Sequence, residues 1–195
     1  MKFRVKSVSW LSTVLLAATL DAHAKVAGDL SPRETAIPDT TDSVPHVQLN
    51  VETDAELIAA LRKKVAKIPD VSLQSSMLSL PGAEGFWIRD GVPLANPQAI
   101  VGGREFAHLH PDGSLHASLP PELAKEAVKN NWATFHPWSS QRLGWEGFVM
   151  IYTPSTQAEV DVVYALVVSS FNYVTGKEIN AQSLSGKKSV KCSPN

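Results

Sequence analysis

The chain has 195 residues, 19 acidic side chains against 18 basic ones, 44% hydrophobic content, one cysteine and six histidines. That length suits a single domain with a core of ordinary size. A formal charge of −1 excludes the basic footprint of a protein that holds nucleic acid through its phosphates, and one cysteine excludes both an internal disulfide framework and any CxxC zinc or redox site.

The N-terminus reads as an export signal. Lys2, Arg4 and Lys6 precede a short apolar stretch from Val8 to Leu20, and Ala22-His23-Ala24 follows as a small-x-small cleavage site. Removal of residues 1–24 implies a protein exported to the periplasm or outside the cell, with no stable membrane span left after cleavage. Residues 25–52 are rich in Pro, Asp and Thr and lack an apolar period; they read as a flexible linker or arm, and His46 goes with them. Residues 177–195 read as a polar C-terminal tail carrying the lone Cys192. One folded unit is left, residues 53–176.

Thr53-Asp54-Ala55-Glu56 forms a capping box, and Leu57, Ile58, Leu61, Val65 and Ile68 then recur at helical spacing until Pro69 stops the helix. Residues 71–80, 85–89 and 99–101 are short strand candidates between Pro and Gly. A helix over 122–130 enters through Pro120-Pro121, and strands follow at 132–136 and 147–153. A second box, Thr156-Gln157-Ala158-Glu159, opens a helix through Val160, Val163, Tyr164, Leu166, Val167, Phe171 and Val174, with Gly176 as its stop. About three helices, with strands gathered between them on short links, predict a single α+β domain with a mostly antiparallel sheet.

The segment from Gly103 to Leu119 specifies more. Pro111-Asp112-Gly113 has the chemistry of a three-residue hairpin loop, with Pro fixing its own φ and Gly taking the left-handed position. That loop pairs His110 with Ser114, Leu109 with Leu115 and His108 with His116. One face then carries Phe106, His108, His110, Ser114, His116 and Ser118; the other carries Ala107, Leu109, Leu115, Ala117 and Leu119, together with Glu105. A two-residue Asp112-Gly113 turn would mix polar and apolar side chains on both faces. Opposed residues on paired strands have Cβ atoms ~5 Å apart, so three imidazoles share one patch. His136 joins them if its strand lies nearby.

Three uses of that patch stay open. The imidazoles can simply be hydrogen-bonded on a face without chemistry. His108, His110 and His116 can offer three nitrogens to a divalent metal, although the acid that follows His-x-His in cupins is replaced here by Ser114. In the favoured reading no cofactor is needed: clustered imidazoles hold one another neutral, one takes the proton of an enol or phenol, and a protonated neighbour or Arg104 steadies the anion. Phe86, Trp87, Trp132, Phe135, Trp138 and Trp145 are numerous enough to wall a pocket for a flat ligand. No Gly-x-Ser-x-Gly elbow and no phosphate-binding glycine loop occurs.

Arg104-Glu105, Ala107-His108-x-His110, Leu115-His116, Trp132, His136-Pro137, Tyr152-x-Pro154 and the closing Tyr173-Val174-Thr175 together resemble the luciferase-domain family, named after the luciferases of mushrooms. The resemblance spans about Arg104 to Gly176. It implies an oxygen-dependent enzyme: fungal luciferases oxygenate a flat, acidic hydroxypyrone through a high-energy peroxide that loses carbon dioxide and emits light. It implies His108, His110, His116 and His136 as catalytic residues with Arg104 and Trp132 in support, molecular oxygen as co-substrate and a small aromatic or enolic compound as partner; Phe106 and Ser118, on the imidazole face of the hairpin, join Arg104 and Trp132 as candidate substrate contacts. The loop between His110 and His116 is shorter here than in the fungal pattern, and an export signal stands where those enzymes have a membrane-anchoring region. A non-catalytic protein that captures a small ligand or a metal ion is the alternative.

Overall fold

The computed structural model describes residues 30–184, so the segment read as an export signal and Cys192 lie outside the described residues. Eight strands and four helices follow one another as β1 (Asp39–Thr40), β2 (Gln48–Leu49), α1 (Ala55–Val65), β3 (Val71–Ser75), β4 (Glu84–Ile88), β5 (Glu105–Leu109), β6 (Leu115–Ser118), α2 (Pro121–Lys129), β7 (Ala133–Phe135), β8 (Phe148–Ile151), α3 (Gln157–Thr175) and α4 (Ala181–Leu184). β1 and β2 form a small hairpin; the other six strands make one sheet in the order β3-β4-β5-β6-β8-β7, every neighbouring pair antiparallel. The α+β expectation holds, and three of the helices are longer than a single turn.

Local chemistry explains most of these boundaries. The cap of α1 is Asp54, whose side chain accepts from the Glu56 and Leu57 N–H groups; Thr53, read as the cap, donates to the Asp112 carbonyl instead. α3 begins as predicted at Thr156 and ends on Gly176 at φ +73°. Residues 99–101, expected as a strand, do not form one: Ala99 closes a turn of 3₁₀ helix over Pro97–Ala99, and Ile100 and Val101 lie outside any strand.

The sheet has two unlike faces. On one lie α1, α2 and α3, burying Leu61, Val65, Leu109, Leu115, Ala117, Leu123, Val163, Leu166, Val167 and Phe171 in one continuous core. Each such large apolar side chain contributes about 1.5–3 kcal/mol when removed from water, so α3, apolar on most of its circumference, is the main stabilising layer. The other face carries the imidazoles and is crossed by the segment before α1.

Residues 30–52, expected to form a flexible linker or arm, lie along the domain as an anchored arm. Arg33 is buried against Glu159 at 3.0 Å and donates to the Thr153 carbonyl. Gln48 exchanges two hydrogen bonds with Thr153. These are long-range polar contacts, which leave no apolar period in the sequence.

Candidate functional site

The hairpin forms in the predicted register. Ala107, His108 and Leu109 face Ala117, His116 and Leu115, and the His110 N–H donates to the Ser114 carbonyl at 2.8 Å. Gly113 takes φ +85°, as the three-residue loop requires. β8 lies between β6 and β7, yet His136, just past the end of β7, reaches back to place its ring 4.7 Å from that of His116.

A fifth imidazole completes the group. His46, on the arm, stacks on His116 with ring centroids 5.3 Å apart and meets His136 edge-on at 5.0 Å. All five rings are 4–5% exposed. Sequence reading leaves His46 in the linker; the only local signal is its place in the apolar run Val44-Pro45-His46-Val47.

Glu105 is the second residue that sequence reading misplaces. Simple alternation sets it on the apolar face, but the β4–β5 register shifts between Phe86 and Trp87: Phe86 faces Ala107 while Trp87 faces Glu105. Phe106 is thus the extra residue of a β-bulge, and its ring turns into the core against Phe86 and Phe171. The bulge returns Glu105 to the imidazole face, with its carboxylate over Gly85, where a Cβ would come within 2.9 Å of it.

Hydrogen bonds then fix several ring nitrogens. Glu105 Oε1 accepts from His108 Nδ1 at 2.9 Å and from the Ser76 hydroxyl at 2.6 Å; Oε2 accepts from the Met77 N–H at 2.9 Å. Burial alone would raise the Glu105 carboxyl, but these donors outweigh it and hold the group below the usual range. His108 Nε2 lies 3.0 Å from His116 Nδ1, and His116 Nε2 lies 3.2 Å from His46 Nδ1. The Ser114 hydroxyl donates to Asp112 at 2.7 Å, so its contact of 2.9 Å with His110 Nδ1 makes His110 the donor and leaves a lone pair on His110 Nε2. His136 is the reverse case: its Nδ1 accepts from the Trp138 N–H at 3.0 Å, so the neutral ring carries its proton on Nε2.

Burial holds His46, His110, His116 and His136 neutral. It pushes His110 down to about 4, with repulsion from His108 adding to the shift and Asp112 opposing it. It pushes His136 down to about 3, helped by His46, His108 and His110. His116 is driven well below its ordinary value by burial and then by its imidazole neighbours, and His46 is lowered by burial against the opposing pull of Asp42.

A cavity of about 210 Å³ opens onto these rings. His46, His108, His110, His116 and His136 line its polar side, while Leu78, Leu80, Val101, Trp138 and Phe148 supply apolar wall. Phe106 and Ser118 border it as well; the Ser118 hydroxyl is committed to the Ala99 carbonyl at 2.6 Å. Arg104 and Trp132 are not among its lining residues. Arg104 clasps the carbonyls of Ile88, Arg89 and Val92, and the Trp132 indole donates to the Ser31 carbonyl beneath Arg33. Both therefore hold loops in place. Of the aromatic side chains expected as walls, Trp138 alone lines the cavity; Trp145 stacks behind it at 6.2 Å.

Comparison with known proteins agrees with the residues that carry the resemblance. Luciferase from Armillaria mellea is 29% identical over 167 residues, covering 75% of this chain and 62% of that protein, and luciferase from Armillaria ostoyae matches to the same extent. Luciferase from Neonothopanus nambi is 28% identical over 106 residues, 48% of this chain and 39% of its own. The chain thus spans less than two thirds of the curated relatives it matches. No solved structure matches. The family model described as Luciferase domain matches residues 103–170, the stretch that holds the histidine hairpin, His136 and most of α3.

Proposed function

We propose that the protein is an exported enzyme that oxidises a small, flat enolic or aromatic compound with molecular oxygen, after first removing its acidic proton. The observation that carries this reading is a cavity with imidazole nitrogens on one side and apolar wall on the other, all the shifted rings being neutral near pH 7. A neutral imidazole with a free lone pair, His110 Nε2, accepts the proton of an enol or phenol, and the electron pair stays on the ligand oxygen. The His136 Nε2–H group is a donor for that oxyanion. The anion is the electron-rich form that gives electrons to oxygen, and the apolar wall keeps water from competing. The similar fungal proteins are luciferases, and a hydroxypyrone-like enol is the ligand class that suits both the cavity and that similarity.

Oxygen consumption by the purified protein with a panel of hydroxypyrones and catechols tests this. Turnover that falls at least tenfold in His110→Ala supports it. Saturable binding of the same compounds without oxygen uptake makes the protein a non-catalytic binder and overturns the oxidative reading.

A further inference from the structure

The outer nitrogens of the hairpin imidazoles are not left to solvent. His108 Nδ1 is held by the Glu105 carboxylate, His110 Nδ1 by Ser114, which Asp112 holds in turn, and His116 Nε2 by His46. The nitrogens left over are His108 Nε2, His110 Nε2 and His116 Nδ1. These three residues each offer a ring nitrogen within 4.8 Å of the other two, and all three line the cavity.

We propose that His108 Nε2, His110 Nε2 and His116 Nδ1 form a three-imidazole site for a divalent first-row transition metal. Two nitrogens each ~2.1 Å from one ion are ~3.0 Å apart at a right angle and ~3.4 Å apart at the tetrahedral angle, and His108 Nε2 and His116 Nδ1, at 3.0 Å, match the first. An N–H···N hydrogen bond accounts for that distance equally well. It does not account for a partner on every outer nitrogen, the arrangement by which metal-binding histidines are oriented and made more basic. Imidazole-only ligation suits zinc, iron, copper or nickel and disfavours calcium and magnesium, which take oxygen ligands.

His46, His116 and His136 also cluster closely enough for an ion, but their hydrogen bonds argue against it. The Trp138 N–H occupies His136 Nδ1 and leaves a proton, not a lone pair, on Nε2. The metal belongs on the hairpin side, with its open positions toward the cavity. This proposal rests on the oxidative reading only for the identity of the compound that fills those positions. There, a bound ion would engage the His110 Nε2 lone pair, lower the proton affinity of an enol oxygen and so take over the task that His110 performs as base in the metal-free site.

The test uses the full chain, purified without an affinity tag or chelator, with metal content measured by mass spectrometry. Chelator-treated protein is then titrated with Co²⁺, read by its ligand-field absorption, and with Zn²⁺ in competition. One Co²⁺ per chain is expected, displaced by Zn²⁺, with binding lost in His110→Ala and weakened roughly 10- to 100-fold in Glu105→Gln. Glu105→Gln keeps the side-chain volume, and circular dichroism of each variant separates lost binding from lost fold. A wild-type protein with no saturable Co²⁺ spectrum overturns the site, as does binding unchanged in both variants. Binding lost in His136→Ala but kept in His110→Ala overturns the assignment of ligands. Stoichiometric metal without oxygen uptake supports the site and sinks the oxidative reading; turnover by protein that binds no Co²⁺ does the opposite.

Discussion

Acidification should unfold the metal-free protein through its imidazoles, in an amount that the structure sets. An unfolded histidine titrates near 6.5, whereas burial brings His110 down to about 4 and His136 to about 3. Between these values the unfolded chain binds protons that the folded chain refuses. The stabilisation from burying neutral rings is therefore complete above about pH 7 and is lost progressively as pH falls through 6.5 toward 3. Going from pH 7 to pH 5 costs about 2 kcal/mol for each of these two rings, or about 4 kcal/mol together. His116 and His46 shift in the same direction and add to the loss. A domain of this size commonly has about 5–15 kcal/mol in all, so the denaturant midpoint should fall steeply. Urea unfolding of chelator-treated protein at pH 7, 6 and 5 gives the drop directly. His136→Gln, which removes one titrating ring, should shrink it by about 2 kcal/mol. A wild-type drop below about 1 kcal/mol, or one unchanged in His136→Gln, would refute the assignment of buried neutral rings.

Removing Arg33 should be costly, because Glu159 would stay buried without its partner. Arg33→Ala should lose about 3–5 kcal/mol in chemical denaturation and expose the arm to protease between Leu30 and Glu52, whereas an arm as resistant as wild type would mean that other contacts hold it. Gly113→Ala places a side chain at φ +85° with its Cβ 2.9 Å from Ile58 and Thr153, and should destabilise by about 1–3 kcal/mol; a change under 0.5 kcal/mol would mean that the loop adapts. His46→Ala should leave stability at pH 7 within about 1 kcal/mol yet weaken hydroxypyrone binding, which calorimetry would detect; unchanged affinity would take His46 out of the ligand's reach. Export should yield a chain that starts at Lys25, and mass spectrometry showing residues 1–24 retained on the exported protein would refute the cleavage site.

The readable parts of the fold were those with redundant local signals. The hairpin register follows from turn chemistry and from face sorting, and the two agree at every residue from Ala107 to Ala117. α3 carries both its cap and its stop in sequence. Residues fixed by a single tertiary contact are the ones sequence misplaces. His46 is held over His116 by an arm whose anchors, Arg33 to Glu159 and Gln48 to Thr153, join positions more than 100 residues apart. Arg104 and Trp132 accompany the histidines in the family pattern, but a pattern does not distinguish a side chain that faces the ligand from one that braces the wall behind it.

The bulge at Phe106 joins these observations. Strict alternation along β5 would make one face wholly apolar beyond Glu105 and leave the imidazoles without an acid in contact. One inserted residue turns the Phe106 ring into the core, where it packs on Phe86 and Phe171, and swings Glu105 across to His108. A buried carboxylate is costly unless it is fully partnered, and Ser76, Met77 and His108 provide those partners. The same bulge therefore serves both sides of the sheet: it fills the core beneath α3 and sets a carboxylate in direct contact with a hairpin imidazole. Straightening it, by deleting Phe106, should cost the core a buried ring and the site its anion together. Glu105→Gln, by contrast, should affect the site while leaving the packing of Phe106 in place, and that contrast separates the chemical role of the bulge from its structural one.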